Sequence, residues 1–236
     1  LGLLDTFQKN GEPNVRVYIN DVDQDVCLSC WLLKNSAKLE GLRFDNVLVQ
    51  LILFEDILDA SAGAYPINPD NPQIRRQAWI YEPYTQARTD GSIYSMSKNE
   101  MKDILRSVCA RIDAAIDGRS GEIELDTRFE KIGGGPGWQL IDEQGPYART
   151  KLFSEKIKAY VALVENKEDR YAYTIGKMSP FVTFPLERIY SALNKAEGLS
   201  SQENCWGGSA IIGGSPRKTG SRLSPQKAQK VINSCI

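Results

Sequence analysis

Two groups of residues in this sequence have the types and spacing that chemistry requires. The first group is acidic and consists of Asp21, Asp23, Asp25, Asp56 and Asp59. Its members follow two apolar runs that are typical of strands. Clustered carboxylates repel one another unless a cation neutralises them, so the group predicts a site for a divalent metal. The alternative is helix capping, because aspartate is a favoured residue at the start of a helix.

The second group is the glycine-rich, basic stretch "IIGGSPRKTGSRL", residues 211–223. Gly213 and Gly214 allow backbone conformations that turn successive N–H groups toward an anion, and Arg217 can grip a phosphate with its planar fork. We predict that the N–H groups from Gly213 to Ser215, the Ser215 hydroxyl and Arg217 bind a phosphate or a similar oxyanion. On this hypothesis Gly214→Val abolishes binding and leaves the fold largely intact. The alternative is a solvated basic loop.

The histidine count limits which chemistry is open to the chain. The 236 residues include no histidine, which removes the commonest general base and the commonest ligand of transition metals. A Ser-His-Asp triad and a Cys-His pair are therefore excluded. Metal chemistry would rest on carboxylates, which favour hard ions such as Mn²⁺ or Mg²⁺.

Composition and charge give no signal for a nucleic-acid or membrane partner. The formal net charge is −1, and 42% of the residues are hydrophobic, as in ordinary globular proteins. The longest apolar run, residues 47–54, is too short to span a membrane, and no secretory signal is visible at the start. The five cysteines are an odd, scattered set, which favours reduced thiols and a cytoplasmic protein.

The elements around the acidic group predict a first α/β lobe. "VRVYI" (15–19) alternates like a strand, "VCLSCWLLKNSAKL" (26–39) has helical spacing, and "DNVLVQLILF" (45–54) is continuous enough for a strand buried on both faces. In open parallel sheets, ligands bind beyond the carboxyl ends of the strands, where the aspartates lie. The CxxC formed by Cys27 and Cys30 falls inside the predicted helix, where packing is favoured over a zinc or redox role.

The remaining elements predict a boundary and a second lobe. Ser97 and Glu100 form a capping box for a helix that ends at Gly118. Beyond it the sequence predicts a hairpin, two alternating strands and two helices. We therefore expect an α/β fold with a parallel-sheet domain over residues 1–118, a smaller mixed-sheet α/β domain over residues 119–236, and a cleft between them.

The two groups, in this order, resemble the DHH phosphoesterase superfamily with its DHH-associated C-terminal domain. "INDVDQDVCLSCWLL" (19–33) is similar to the strand, turn and apolar helix that open that family, with Asp21 and Asp23 on its two aspartates. Ile19 stands where the family has its first histidine. The Asp-His-His signature has no counterpart, and residues 60–140 do not align.

The end of the chain carries the second part of the resemblance. "IGGSPRKTGSRLSPQKAQKVI" is similar to the family's Gly-Gly-His turn, with Gly213, Gly214 and Gly220 on its glycines and Ser215 on its histidine. "YTIGKMSPFVTFPLERIYSALNKAEG" resembles the strand and helix that precede this turn, and Lys177 stands near the position of an arginine.

The resemblance implies a phosphoesterase-like function, because family members are two-metal phosphodiesterases or pyrophosphatases. On this hypothesis Asp21, Asp23 and Asp56 hold Mn²⁺ or Mg²⁺, and Asp23 and Asp56 support attack of an activated water on phosphorus. Lys177 and the glycine-turn residues would bind the phosphate of a small molecule or nucleotide. One alternative is a catalytically silent relative that binds such a ligand as a sensor or assembly partner. Another is an interaction protein whose glycine stretch is structural.

Overall fold

The computed structural model describes residues 3–7, 15–39, 46–60, 67–167, 170–200 and 204–236, which form two compact units. The first unit comprises Leu1–Ala60 and Asn68–Leu125, and the second comprises Ser61–Ile67 and Asp126–Ile236. The elements of the first unit are β1 (Leu3–Phe7), β2 (Val15–Ile19), α1 (Gln24–Lys34), α2 (Val47–Ala60), α3 (Pro72–Thr89) and α4 (Lys98–Ile116). The elements of the second unit are β3 (Phe129–Gly135), β4 (Trp138–Glu143), α5 (Ala148–Leu152), β5 (Ala159–Lys167), β6 (Arg170–Lys177), α6 (Leu186–Glu197), β7 (Gly207–Gly208), β8 (Ile212–Gly214) and α7 (Pro225–Asn233).

The α/β class is confirmed, but the parallel sheet predicted for the first domain is wrong. The two strands described in that unit, β1 and β2, pair antiparallel. The stretch 45–54, predicted to be a strand, lies largely in helix α2, whose start is marked by the Asn46 side chain accepting the N–H of Leu48 at 2.8 Å. A continuous apolar run fits a buried strand and a buried helix equally well, and here the helix forms.

Helices α1 and α4 begin where local signals in the sequence place them. Asp23 is the N-cap of α1, and its side chain accepts the N–H of Val26 at 3.3 Å. Ser97 and Glu100 form the predicted capping box of α4: the Glu100 carboxylate accepts the Ser97 N–H at 2.7 Å, and the Ser97 hydroxyl accepts the Glu100 N–H at 3.4 Å. These bonds satisfy N–H groups that a helix leaves unpaired at its start.

The core of the first unit is built from its helices. Trp31 of α1, Tyr81 of α3 and Val108 of α4 are all buried in one apolar cluster. Cys27 and Cys30 lie in the same cluster, and burial raises the pKa of the Cys27 thiol well above its ordinary range. Thiols with raised pKa values are poor nucleophiles, so the structure gives the CxxC a packing role.

The second unit contains a mixed sheet, as predicted. Its six strands follow the order β3-β4-β5-β6-β8-β7, in which β4 and β5 run parallel and the other neighbours antiparallel. Helices α6 and α7 pack on one face through residues such as Ile189 and Ile232, whereas Leu152 of α5 packs against Tyr160 on the other. Among the described residues, no helix is both long enough and apolar enough to cross a membrane.

Candidate functional site

The glycine pair predicted to cradle a phosphate lies inside the sheet. Gly213 and Gly214 belong to β8 and pair with Ile175 and Thr174 of β6 on one side and with the glycines of β7 on the other. Strand pairing on both sides engages the backbone polar groups of this segment. The position of the pair within the sheet therefore removes the open turn on which the predicted cradle depends.

Ser215 also forms hydrogen bonds within the sheet. Its N–H donates to the carbonyl of Tyr173 at 3.0 Å, and its hydroxyl oxygen accepts the N–H of Tyr173 at 3.0 Å. The N–H predicted to bind an anion is thus already paired within the protein. The structure corrects this part of the prediction, because the segment before Pro216 continues a strand rather than forming a turn.

The glycines of β8 are needed for close packing. A Cβ atom on Gly213 would overlap the carbonyl oxygen of Gly207 and the hydroxyl of Tyr190, and one on Gly214 would overlap the carbonyl oxygen of Tyr173. Any side chain at these two positions would push the strands apart or displace the tyrosine. This geometry favours the structural alternative for the glycine pair.

The segment 216–222, called the basic loop below, is the exposed part of the predicted motif. Gly220 has φ 63°, a left-handed conformation that favours glycine, and its N–H donates to the carbonyl of Pro216 at 2.8 Å. Asn204 accepts the N–H of Lys218 at 3.3 Å and donates to the Thr219 hydroxyl at 3.0 Å. These bonds hold the loop in one conformation at its tip.

Glu197 holds the other end of the basic loop and was missed by sequence reasoning. Its carboxylate accepts the N–H of Arg222 at 2.6 Å, the hydroxyl of Ser221 at 2.8 Å and the indole N–H of Trp206. Ser221 also pairs with Tyr171 of β6 through two backbone hydrogen bonds of 2.8 and 2.9 Å. No sequence motif connects Glu197 to residues so far along the chain.

The basic loop presents three exposed cations. Arg217, Lys218 and Arg222 are exposed, and within the described part of the chain no acidic side chain forms an ion pair with them. Elsewhere in this unit Arg128 and Arg149 do have such partners. Residues 126–236 contain 16 Lys or Arg and 11 Asp or Glu, a net charge of +5, so the loop lies in the more positive half of the chain.

Lys177 lies away from the basic loop. It ends β6, whereas the loop pairs with Tyr171 near the start of that strand. The Lys177 ammonium group donates to the carbonyls of Pro180 and Val182 at 3.4 and 3.3 Å. These bonds help to fix the segment that follows β6, and the role of Lys177 in phosphate binding stays a prediction.

The acidic group is only partly brought together. Asp21 accepts the N–H of Val22 at 2.7 Å, and Asp23 caps α1. Asp56 is an exposed residue of α2, because its segment is a helix and not a strand that ends at a sheet edge. Among the described residues, no three acidic or cysteine side chains are placed to hold a metal ion, so the predicted set of Asp21, Asp23 and Asp56 does not form a ready metal site.

Glu55 is the buried acidic residue that sequence reasoning missed. Its carboxylate is 7% exposed and accepts the side-chain N–H of Gln77 at 2.9 Å. Burial raises the pKa of Glu55 to about 7 against the effect of this hydrogen bond, and the charges of Asp25, Asp59 and Asp23 add to the rise. Burial and the adjacent Asp25 likewise raise the pKa of Asp23 to about 6.

Comparison of the chain with protein-family models, with curated proteins and with solved structures finds no match. The resemblance to DHH phosphoesterases, which rests on the two ends of the chain, therefore stays a prediction.

Proposed function

We propose that this protein binds a phosphorylated small molecule or nucleotide through the basic loop. One observation carries the proposal: three exposed cations that pair with no carboxylate of the described residues stand on a loop whose backbone is held at its tip by Asn204 and at its end by Glu197. A loop that is already ordered loses little conformational entropy when a ligand binds. The exposed arginine and lysine side chains supply the charge that a phosphate requires.

Side chains, rather than the backbone, make the contacts in this proposal. Arg217 and Arg222 can each offer two parallel N–H groups to phosphate oxygens, and Lys218 adds a point charge. The glycines before the loop contribute by letting β8 pack closely, not by touching the ligand. Because the cations are exposed, the affinity should fall as salt concentration rises.

The protein is proposed to bind the phosphorylated ligand and not to hydrolyse it. Residues 216–222 include no carboxylate, histidine or cysteine that could act as a general base, and the nearby Glu197 carboxylate is occupied by three donors. This favours the sensor or assembly alternative over the enzyme. The odd, scattered set of five cysteines favours reduced thiols, in keeping with a cytoplasmic protein.

Calorimetric titration tests the proposal. The purified chain is titrated with inorganic phosphate, sulfate and nucleoside mono- and triphosphates, and Arg217→Ala is compared with Lys158→Ala, an exposed lysine that precedes β5. A charge-assisted hydrogen bond contributes about 1.5–3 kcal/mol, and exposure favours the lower limit, so Arg217→Ala should weaken phosphate binding about tenfold. Equal weakening by both variants, or no binding by the parent, would refute the proposal.

A second candidate function is supported by the raised pKa values of Asp23 and Glu55. The charge of Asp23 adds to the raised pKa of Glu55, so the two carboxylates repel one another in their charged forms, and a divalent cation would remove that repulsion. Mg²⁺ keeps several water ligands in proteins, so one or two carboxylates can supply the protein's share of its ligands. Asp23 and Glu55 are therefore the residues that would hold Mg²⁺ or Mn²⁺ in the first unit.

A further inference from the structure

The turn that follows β6 carries the most exposed large apolar side chain among the described residues. In this turn, residues 178–182, called the Phe181 loop below, Phe181 is 96% exposed and Met178 is 43% exposed. Pro180 between them is exposed as well. Three exposed apolar side chains within one turn form a small contiguous apolar surface, and the burial of such a surface against an apolar partner is favourable.

Hydrogen bonds hold the Phe181 loop in this conformation. The Lys177 ammonium group donates to the carbonyls of Pro180 and Val182 at 3.4 and 3.3 Å. The Val182 N–H donates to the Ser179 carbonyl at 3.0 Å, and the Phe181 N–H donates to the Ser179 hydroxyl oxygen at 3.3 Å. Because the backbone on both sides of Phe181 is already ordered, the ring can meet a partner with little further loss of conformational entropy.

Exposed lysines lie beside the Phe181 loop. The Met178 N–H donates to the Lys158 carbonyl at 2.8 Å, which places these two residues next to the pair formed by Ala159 and Lys177 at the end of β5 and β6. Lys156 lies two residues before Lys158. Both lysines are exposed, and neither forms an ion pair with any residue that the structure describes.

The charge of this region is positive. Residues 156–158 and 177–183 include three lysines and no acidic residue, a net charge of +3. The adjacent acidic residue, Glu155, pairs with Lys131 at 3.1 Å and with Lys151 at 3.8 Å. The apolar tip therefore stands among cations, which complement an anionic surface.

A lipid surface fits this combination better than a protein does. Each partner in a standard protein–protein interface buries about 800 Å² and contributes about 20–30 residues, whereas here the apolar surface is the tip of one turn. A bilayer interface requires only apolar side chains that enter the boundary between headgroups and acyl chains, and cations that attract anionic lipids.

We propose that the Phe181 loop inserts Phe181 and Met178 into the surface of an anionic lipid bilayer, while Lys156 and Lys158 contact the headgroups. The protein then lies on the bilayer and does not span it. The charge of the whole chain, −1, gives no signal for such a contact because the local positive charge is balanced elsewhere. The site goes beyond the proposed phosphate binding, since the basic loop pairs with Tyr171 near the other end of β6.

Sedimentation with vesicles tests the apolar part of the proposal. The parent should bind vesicles of equal parts phosphatidylcholine and phosphatidylserine, and bind vesicles of phosphatidylcholine alone much more weakly. Phe181→Ser should weaken binding to the anionic vesicles about tenfold or more, because it removes the inserted ring. Tyr94→Ser is the matched control, since Tyr94 is an aromatic residue of the first unit that is 84% exposed, and it should bind as the parent does.

Two double variants test the role of the lysines. Lys156→Gln combined with Lys158→Gln should weaken binding to the anionic vesicles roughly tenfold or more. Lys227→Gln combined with Lys230→Gln is the control, because it removes the same charge from exposed positions of α7 and should have a much smaller effect.

Fluorescence of Phe181→Trp measures insertion directly, since lipids with brominated acyl chains should quench the added tryptophan. The proposal is overturned if this quenching is absent, if Phe181→Ser binds vesicles as the parent does, or if both lysine pairs weaken binding equally. Self-association of the parent without lipid that is lost in Phe181→Ser would assign the loop to a second copy of the chain instead. Phosphate titration of Phe181→Ser should match the parent, so failure of either proposal leaves the other unaffected.

Discussion

The carboxylate of Glu197 accepts the backbone N–H of Arg222 at 2.6 Å, which joins the last turn of α6 to the end of the basic loop. The same carboxylate accepts the Ser221 hydroxyl and the Trp206 indole N–H. Glu197 therefore fixes the end of the basic loop by hydrogen bonds rather than by ion pairs. Within the described part of the chain, this carboxylate forms no ion pair with Arg217, Lys218 or Arg222.

Glu197→Gln should destabilise the protein and weaken phosphate binding. A glutamine keeps one acceptor but turns an NH₂ group toward at least one of the three donors that Glu197 satisfies. Leaving such a group unpaired costs about 1–3 kcal/mol. Urea denaturation measures this change, with Glu187→Gln in the first turn of the same helix as the control, since Glu187 is exposed. Equal stability of the two variants would contradict the anchoring role.

Gly214→Val should disrupt the sheet, contrary to the prediction made from the sequence. A Cβ at Gly214 would overlap the Tyr173 carbonyl oxygen, whereas a Cβ at Gly207 meets nothing within 4 Å. Gly214→Ala should therefore cost about 1–3 kcal/mol more than Gly207→Ala, and valine should cost more than alanine. Thermal denaturation of the three variants checks the order. An unfolding temperature of Gly214→Val equal to that of the parent would show that close packing at this position is not required.

Local signals made parts of the fold predictable from the sequence. Ser97 and Glu100 are three residues apart and act on the same helical turn, so their capping box could be seen without knowledge of tertiary structure. The α2 segment lacked such a signal, because an unbroken apolar run has no period that separates helix from strand. Read with helical spacing, Leu48, Leu51 and Glu55 fall on one face, and that pattern would have indicated the buried glutamate.

The candidate site was less predictable because its decisive contacts are distant in the chain. The cations of the basic loop were visible as a cluster, but Glu197 is 25 residues from Arg222 and has no motif of its own. The glycine pair was consistent with an open turn or with a crowded strand, since glycine permits both. Only the pairing of β8 with β6 and β7 decides between them.

The stability of the protein should depend on pH through Glu55. Its pKa is raised from 4.5 to about 7, so the folded protein binds this proton more tightly than the unfolded chain does. The resulting stabilisation is fully present below about pH 4.5 and is lost as the pH rises through about 7, in total roughly 3 kcal/mol at most. Asp23, with a pKa raised to about 6, acts in the same direction.

Urea denaturation at about pH 5 and about pH 8 measures this dependence. The parent should lose stability toward the higher pH, and Glu55→Gln should flatten the profile because it removes the titrating group. Asp56→Asn is the control, since its side chain is exposed and one residue away on the same helix. A Glu55→Gln profile as steep as that of the parent would contradict the assignment.

Divalent cations should raise the unfolding temperature if Asp23 and Glu55 hold one. A ligand that binds only the folded state stabilises it by RT ln(1 + [L]/Kd), about 2.7 kcal/mol when the concentration is a hundred times Kd. Melting curves with Mn²⁺ or Mg²⁺, each with and without inorganic phosphate, measure the effect.

Glu55→Gln and Asp56→Asn separate the two possible ligand sets in this experiment. Glu55 is buried and its pKa is raised in part by the charge of Asp23, whereas the Asp56 carboxylate is exposed, so we expect Glu55→Gln to abolish the shift and Asp56→Asn to retain it. Loss of the shift in Asp56→Asn would instead support the metal ligands predicted from the sequence, which are Asp21, Asp23 and Asp56. If the cations do not change the unfolding temperature of the parent, the acidic group binds no divalent cation. Asp23 would then act only as the N-cap of α1, a role shown by its hydrogen bond to the Val26 N–H.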